Sequence, residues 1–238
     1  MRLVGFSTGS LALGDFNAAL TMMEGQGLTA IELSALRESE LEPLLCVLDS
    51  LNLDAFQYVS VHAPSRLETM TDVELAGLLY AIVERGYRVV VHPDVIEDYE
   101  CWAGLGDKLC IENMDRRKAM GRTAAELAPV FRCLPQASLC LDLGHARQVD
   151  PTMSQAAELL AAFGHRLAQV HISEVNAQSV HERLTIGAIN AFQRVAPLIS
   201  PDVPLILESP VMAREIASEV RAALRTMATQ KSHSVSIA

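Results

Sequence analysis

The sequence has no apolar run approaching the roughly 18 residues that cross a bilayer as a helix. Its start, MRLVGFSTGS, shows no basic region followed by an apolar signal segment. A soluble, cytoplasmic protein without a membrane partner is expected. Basic charge is also short: 19 Lys and Arg face 29 Asp and Glu, a net charge of −10. That disfavours, without excluding, a broad grip on a nucleic-acid backbone. Five cysteines (Cys46, Cys101, Cys110, Cys133 and Cys140) form no CxxC pair. They read as reduced thiols, with Cys110 and Cys140 inside buried strands. No GxGxxG turn follows the first apolar run, and GFSTGS spaces its glycines wrongly for a dinucleotide loop. No linker or composition break divides the chain.

What is present is a regular alternation. Apolar, β-prone runs begin near residues 2, 29, 57, 88, 108, 138, 167 and 203. Most steps approach thirty residues, the length of a strand plus a crossover helix. Helix signals fill the gaps. Asp15 caps one segment, Ser39 with Glu42 another (Pro43 falling in its first turn), and Thr71 with Glu74 forms a capping box that ends at Gly86. The step between the fourth and fifth runs leaves room only for a short helix, about residues 95–102. A closed (β/α)8 barrel over residues 1–228 is expected as a single domain, a size such barrels reach undivided. A doubly wound open sheet is the competitor. Residues 229–238 are polar and unpatterned and read as a disordered tail.

The runs end unusually. A run that merely leaves a sheet finishes in Gly, Pro, Asn or Ser. Here AIELS carries Glu32, YVSVH ends on His62, VVVH on His92 and LCIEN on Glu112. LCLDLGH brings Asp142 and His145, QVHISE brings His171 and Glu174, and LILES brings Glu208. In a barrel of this kind the strand C-termini form the active face, so these side chains converge on one bowl. Mixed imidazole and carboxylate donors suit a divalent cation, one or two ions: zinc, manganese or cobalt, with magnesium possible. A single strand-end histidine more often serves as a structural hydrogen-bonder. Glu32, Glu174 and His181 could equally be surface charges or supports behind the ligands. His165 and His233 read as exposed and idle, Asp94 and Asp115 as helix caps, and Arg116, Arg117 and Lys118 as a solvated loop.

SVHAP, VVVHPD, LCIEN, LCLDLGHA, VHISE and LILES together resemble the xylose-isomerase-like barrel superfamily over essentially the whole chain. That group holds sugar isomerases and epimerases and the apurinic endonuclease family. The resemblance implies a shared metal site of Glu112, Asp142, His171 and Glu208. It implies a second site of His62 and His92 with Glu112 bridging, although either histidine could bind substrate instead. His145 matches a residue that holds a substrate oxygen or a third zinc. One stretch departs from the endonuclease pattern: His181-Glu182-Arg183 stands where Asp-x-His would be, and arginine cannot ligate a metal. A trinuclear cluster is therefore in doubt, and Arg183 is expected to clasp a phosphate or carboxylate. Glu174 and His181 are further substrate-binding candidates.

Two reactions follow from the resemblance. The first is isomerisation or epimerisation of a sugar, sugar phosphate or related polyol, by proton transfer beside a metal-held carbonyl. Glu112 and Glu208 would be acid and base, with His145 orienting oxygens. The second is hydrolysis of a phosphodiester in the manner of the apurinic endonucleases, on two cations ~3.5–4 Å apart. A non-catalytic small-molecule-binding barrel is the third alternative. Apolar helix faces leave a homo-oligomer open.

Overall fold

The computed structural model describes residues 2–228; the tail expected over 229–238 and its His233 lie outside the described residues. Ten strands form among them: β1 (Val4–Ser7), β2 (Ala30–Ser34), β3 (Tyr58–His62), β4 (Arg88–Val91), β5 (Leu109–Glu112), β6 (Ser138–Asp142), β7 (Leu167–Ile172), β8 (Glu174–Val175), β9 (His181–Glu182) and β10 (Leu205–Leu207). Eight of them close a parallel barrel in the ring order β1-β10-β7-β6-β5-β4-β3-β2. The expected (β/α)8 architecture is observed, and its strands start within two residues of the predicted runs. The two-residue strands β8 and β9 pair antiparallel as a small hairpin outside the ring, a feature no sequence pattern announces.

Strands buried on both faces read as continuous apolar runs. One set of alternate side chains, including Ile31, Leu33, Val61, Val89, Ile111, Leu139 and Leu141, packs outward into the main core beneath the helices. Period two turns the other set inward. There Val90, Cys110 and Cys140 form a separate small apolar cluster. Buried Glu32, Ser60, Gln169 and His171 share the same interior. Burial pushes the Cys110 thiol up to about 11, which keeps it protonated and inert. All five cysteines are free, as expected.

The helices explain themselves locally. A one-turn helix, α1 (Thr8–Leu11), leads to α2 (Phe16–Met23), where Asp15 Oδ1 accepts from the Ala18 amide at 2.9 Å. The next, α3 (Glu38–Val47), corrects the expected Ser39 cap. It begins at Arg37, whose amide donates to Glu40 Oε2 at 3.2 Å, so Ser39 lies inside the first turn. The shift lets the Glu38 carboxylate accept from the Thr69 and Met70 amides at 3.0 Å. This ties α3 to the loop before α4 (Asp72–Glu84), which shows the Thr71–Glu74 box and stops before Gly86 at φ 82°.

The short fourth crossover is real: a 3-10 turn (Pro93–Val95) and the five-residue α5 (Tyr99–Ala103). Asp72 holds it. Its Oδ2 accepts from the amides of Glu97 and Asp98 at 2.9 and 2.8 Å and from Trp102 Nε1 at 3.2 Å, with the indole fully buried. Asp72→Ala strands all three donors and is expected to lower unfolding free energy by about 3 kcal/mol. A urea titration reads this as a lower midpoint. The series continues with α6 (Ala124–Cys133), α7 (Leu143–Val149), α8 (Ser154–Phe163), α9 (Ile186–Phe192) and α10 (Ile216–Thr226). No helix among the described residues is long and apolar enough to cross a membrane.

Candidate metal centre

Strands β5, β6 and β7 and the first residue after β10 bring Glu112, Asp142, His171 and Glu208 together, with one donor atom from each within 4.8 Å of the others. His171 Nδ1 lies 3.1 Å from Glu112 Oε1, 3.5 Å from Glu208 Oε2 and 4.0 Å from Asp142 Oδ2. Asp142 Oδ2 and Glu208 Oε2 are buried without a hydrogen-bond partner among the described residues. A buried carboxylate oxygen left bare is costly. Two of them pointing at one imidazole nitrogen describe a cradle that a divalent cation fits.

Glu112 also faces the other way. Its Oε2 lies 3.2 Å from His62 Nε2 and 3.1 Å from His92 Nε2, so these three form a second metal-capable group. A third, Asp142, His145 and His181, lies beside the first. Its third donor is His181 rather than Arg183, so the arginine does not break this grouping.

Backbone contacts orient the rings. His62 Nδ1 donates to Ala63 O at 2.8 Å, which leaves Nε2 as the lone-pair nitrogen facing Glu112. His145 Nδ1 lies 3.0 Å from Asn113 O. Asp142 caps α7 through Oδ1, which accepts from the His145 amide at 2.6 Å, and so keeps Oδ2 free for another partner. Helix α7 can sit this close only because Gly144 has no side chain. A Cβ there would meet Val175 Cγ2 at 2.5 Å and Ser173 O at 2.8 Å. Asn113, which carries no strand-end signal of its own, clips β5 to β6: its Nδ2 donates to Asp142 O at 2.9 Å and its Oδ1 accepts from the Asp142 amide at 2.8 Å.

The electrostatics are those of crowded, dry charge. Burial pushes the Glu112 carboxyl upward, but His171, His62 and His92 outweigh it and hold it well below the usual range. Burial drives Glu208 the same way; there His171 opposes, Asp142 and Glu112 add, and the carboxyl ends well above the usual range. Burial lowers His92, and it takes His181 down to about 4, so His181 is a neutral imidazole at neutral pH. Neutral imidazole is the form that ligates a metal.

Above these groups opens a cavity of about 420 Å³. His62, His92, Glu112, His145, His181 and Glu208 reach its wall, and Asp142 and His171 lie beneath it, fully buried. Two expected substrate binders are placed elsewhere. Arg183 is held by Glu215 at 2.8 Å and Glu219 at 3.5 Å. Glu174 pairs with Arg147 and accepts from Thr185 Oγ1 at 2.6 Å. Two cations do reach the cavity, Arg117 and Lys118, both expected from sequence to be solvated. Arg117 is paired at 2.8 Å with Asp115, which is therefore an arginine partner and not the expected helix cap. Lys118 is the other. Its Nζ donates to Asp94 Oδ2 at 2.7 Å and Ser65 O at 3.1 Å, so Asp94 is a lysine partner. Glu32, weighed as a surface charge, is fully buried under His171, with Oε2 3.1 Å from His171 Nε2. His165 is exposed, as expected.

Neither the protein-family models nor the curated proteins give a match to this sequence. Solved structures do. Endonuclease IV from Thermus thermophilus superposes with a TM-score of 0.61 at 21% identity, covering 95% of this chain and 99% of that one. An L-ribulose 3-epimerase gives 0.57 at 15% identity over 95% and 92% of the two chains. A xylose isomerase domain protein from Alicyclobacillus acidocaldarius gives 0.56 at 15% identity over 93% and 94%. The chain shares the (β/α)8 barrel fold of these structures. At these identities the likeness carries architecture, and chemistry must be argued from the residues. In this barrel the strand ends bring three acids and three histidines around one bowl, with His145 added from the start of α7 and His181 from β9.

Proposed function

We propose that the chain is a divalent-metal-dependent isomerase or epimerase of a sugar, sugar phosphate or related polyol. The observation that carries this reading is the group Glu112, Asp142, His171 and Glu208, with two bare buried oxygens, beneath a cavity sized for a small molecule. A cation held there supplies Lewis-acid polarisation of a substrate carbonyl, which acidifies the neighbouring C–H. Glu208 is placed to take or return that proton: its Oε2 has no hydrogen-bond partner among the described residues and it lines the cavity. Glu112 offers the opposing carboxylate. Lys118 takes over the orienting role expected of Arg183, since two contacts leave one of its three protons for a substrate oxygen or phosphate. His145, on the same wall, is a second orienting group.

A second reading has its own observation. The His62–His92–Glu112 group adds a cation position that shares Glu112 with the first, an arrangement suited to hydrolysing a phosphoester. The solved endonuclease IV of this fold makes that chemistry a fair comparison. The net charge of −10 and a wall that includes Leu13, Leu36, Met114, Val180 and Pro210 favour a small substrate over a polynucleotide.

One experiment separates the two. Metal-loaded protein in deuterated water with a panel of ketoses is expected to wash deuterium into the carbon beside the carbonyl. Absence of exchange across the panel, with cleavage of an abasic-site oligonucleotide, would establish the hydrolase instead.

A further inference from the structure

Beneath the candidate centre a line of polar side chains runs down the barrel interior, where barrels of this type are usually packed with branched aliphatics. Glu32 on β2 is its middle member. Its Oε2 accepts from Ser60 Oγ at 3.0 Å and from Gln169 Nε2 at 2.7 Å, and lies 3.1 Å from His171 Nε2. Tyr58 Oη donates to Gln169 Oε1 at 2.5 Å. Each link leaves little freedom. The Gln169 amide cannot flip, because flipping would turn its carbonyl toward the Glu32 carboxylate. Its NH2 therefore faces Glu32, and Glu32 Oε2 is an acceptor on every side. His171 Nε2 lies 2.8 Å from that amide nitrogen and 3.1 Å from Glu32 Oε2, and the carboxylate's charge favours an Nε2–H directed at Glu32. With that proton held on Nε2, Nδ1, which faces Glu112, Asp142 and Glu208, is the nitrogen that would give up its proton to a cation.

We propose that Glu32 is a positioning residue for the metal centre: it fixes the tautomer and ring angle of His171, and Gln169 with Tyr58 fixes Glu32 in turn. The inference rests on the reading of Glu112, Asp142, His171 and Glu208 as a cation site and is independent of which reaction that site performs. It gives a reason for a carboxylate in the interior of an otherwise dry barrel. A histidine ligand whose second nitrogen is bonded to a carboxylate is both held in place and made a better donor.

Chelator competition on purified protein supplies the test. Glu32→Ala is expected to weaken zinc binding about 10–100-fold. Glu32→Gln keeps a carbonyl oxygen where Oε2 lies and should lose less affinity than Glu32→Ala, since it retains the orienting contact and gives up only the carboxylate's charge. Nitrogen-15 histidine spectra of the zinc-loaded wild type should show His171 with its proton on Nε2 and zinc on Nδ1, a readout that needs no variant to fold. Zinc on Nε2 overturns the proposal, as does wild-type affinity in a folded Glu32→Ala protein. A wild type that binds no divalent metal at all rejects the underlying cation site, and this inference falls with it.

Discussion

Glu112→Gln is expected to yield a folded protein that has lost its divalent metal at both positions. Glu112 is the one side chain common to the two groups, with Oε2 3.2 and 3.1 Å from His62 and His92 and Oε1 3.1 Å from His171. Glutamine preserves the volume and removes the anion, and its NH2 would donate to the lone pair on His62 Nε2 and so occupy the nitrogen a cation would use. Losing a partner behind a ligand costs about 10–100-fold in affinity, so losing the shared ligand should cost more than ~100-fold. Elemental analysis after dialysis, with chelator competition, measures it. The folding control is a melting curve of the metal-free proteins, which should nearly coincide. A Glu112→Gln protein that keeps the wild-type metal content would show that the two groups do not depend on this residue.

Glu208→Gln separates binding from proton transfer. The amide can still offer an oxygen to a cation, but it cannot shuttle a proton. With metal saturating, deuterium exchange into substrate is expected to fall by about 10²–10⁴-fold, the range that one positioned acid or base supplies. The site gives two reasons to choose this residue. Its Oε2 is bare and buried, and it stands 3.5 Å from both His171 Nδ1 and His181 Nδ1, where a cation and a substrate would meet. Exchange within tenfold of wild type would remove Glu208 from the proton path and leave Glu112 or a histidine to carry it.

The barrel is legible because two signals coincide: apolar runs of strand length and a spacing near thirty residues that leaves one helix between them. The strand-end residues are legible for the same reason, since a run ending in His or Glu breaks the usual exit chemistry. What escapes lies one step inside. Ser60 stands two residues before His62, and Gln169 two before His171. Period two puts each on its neighbour's face, yet a polar residue inside a strand draws less notice than one at its end. Arg183 misleads because its partners, Glu215 and Glu219, sit more than thirty residues away, and no local pattern announces that pairing. The hairpin of β8 and β9 is equally silent: its strands are two residues each, and its left-handed turn residue is Ser179 at φ 56° rather than glycine. The start of α3 moves because Glu38 is engaged by a distant loop, a tertiary choice that overrides the Ser39 signal.

The ring closes only when β10 seats between β7 and β1, and Glu208 follows β10 directly. Without β10 the first group lacks Glu208, whereas His62, His92 and Glu112 meet at the ends of the neighbouring strands β3, β4 and β5. The four-residue group is complete only in the closed ring, so an ion held there acts as a seal on a finished vessel. Refolding in a chelator should proceed at its normal pace and deliver an intact, empty cup that fills when the ion is restored.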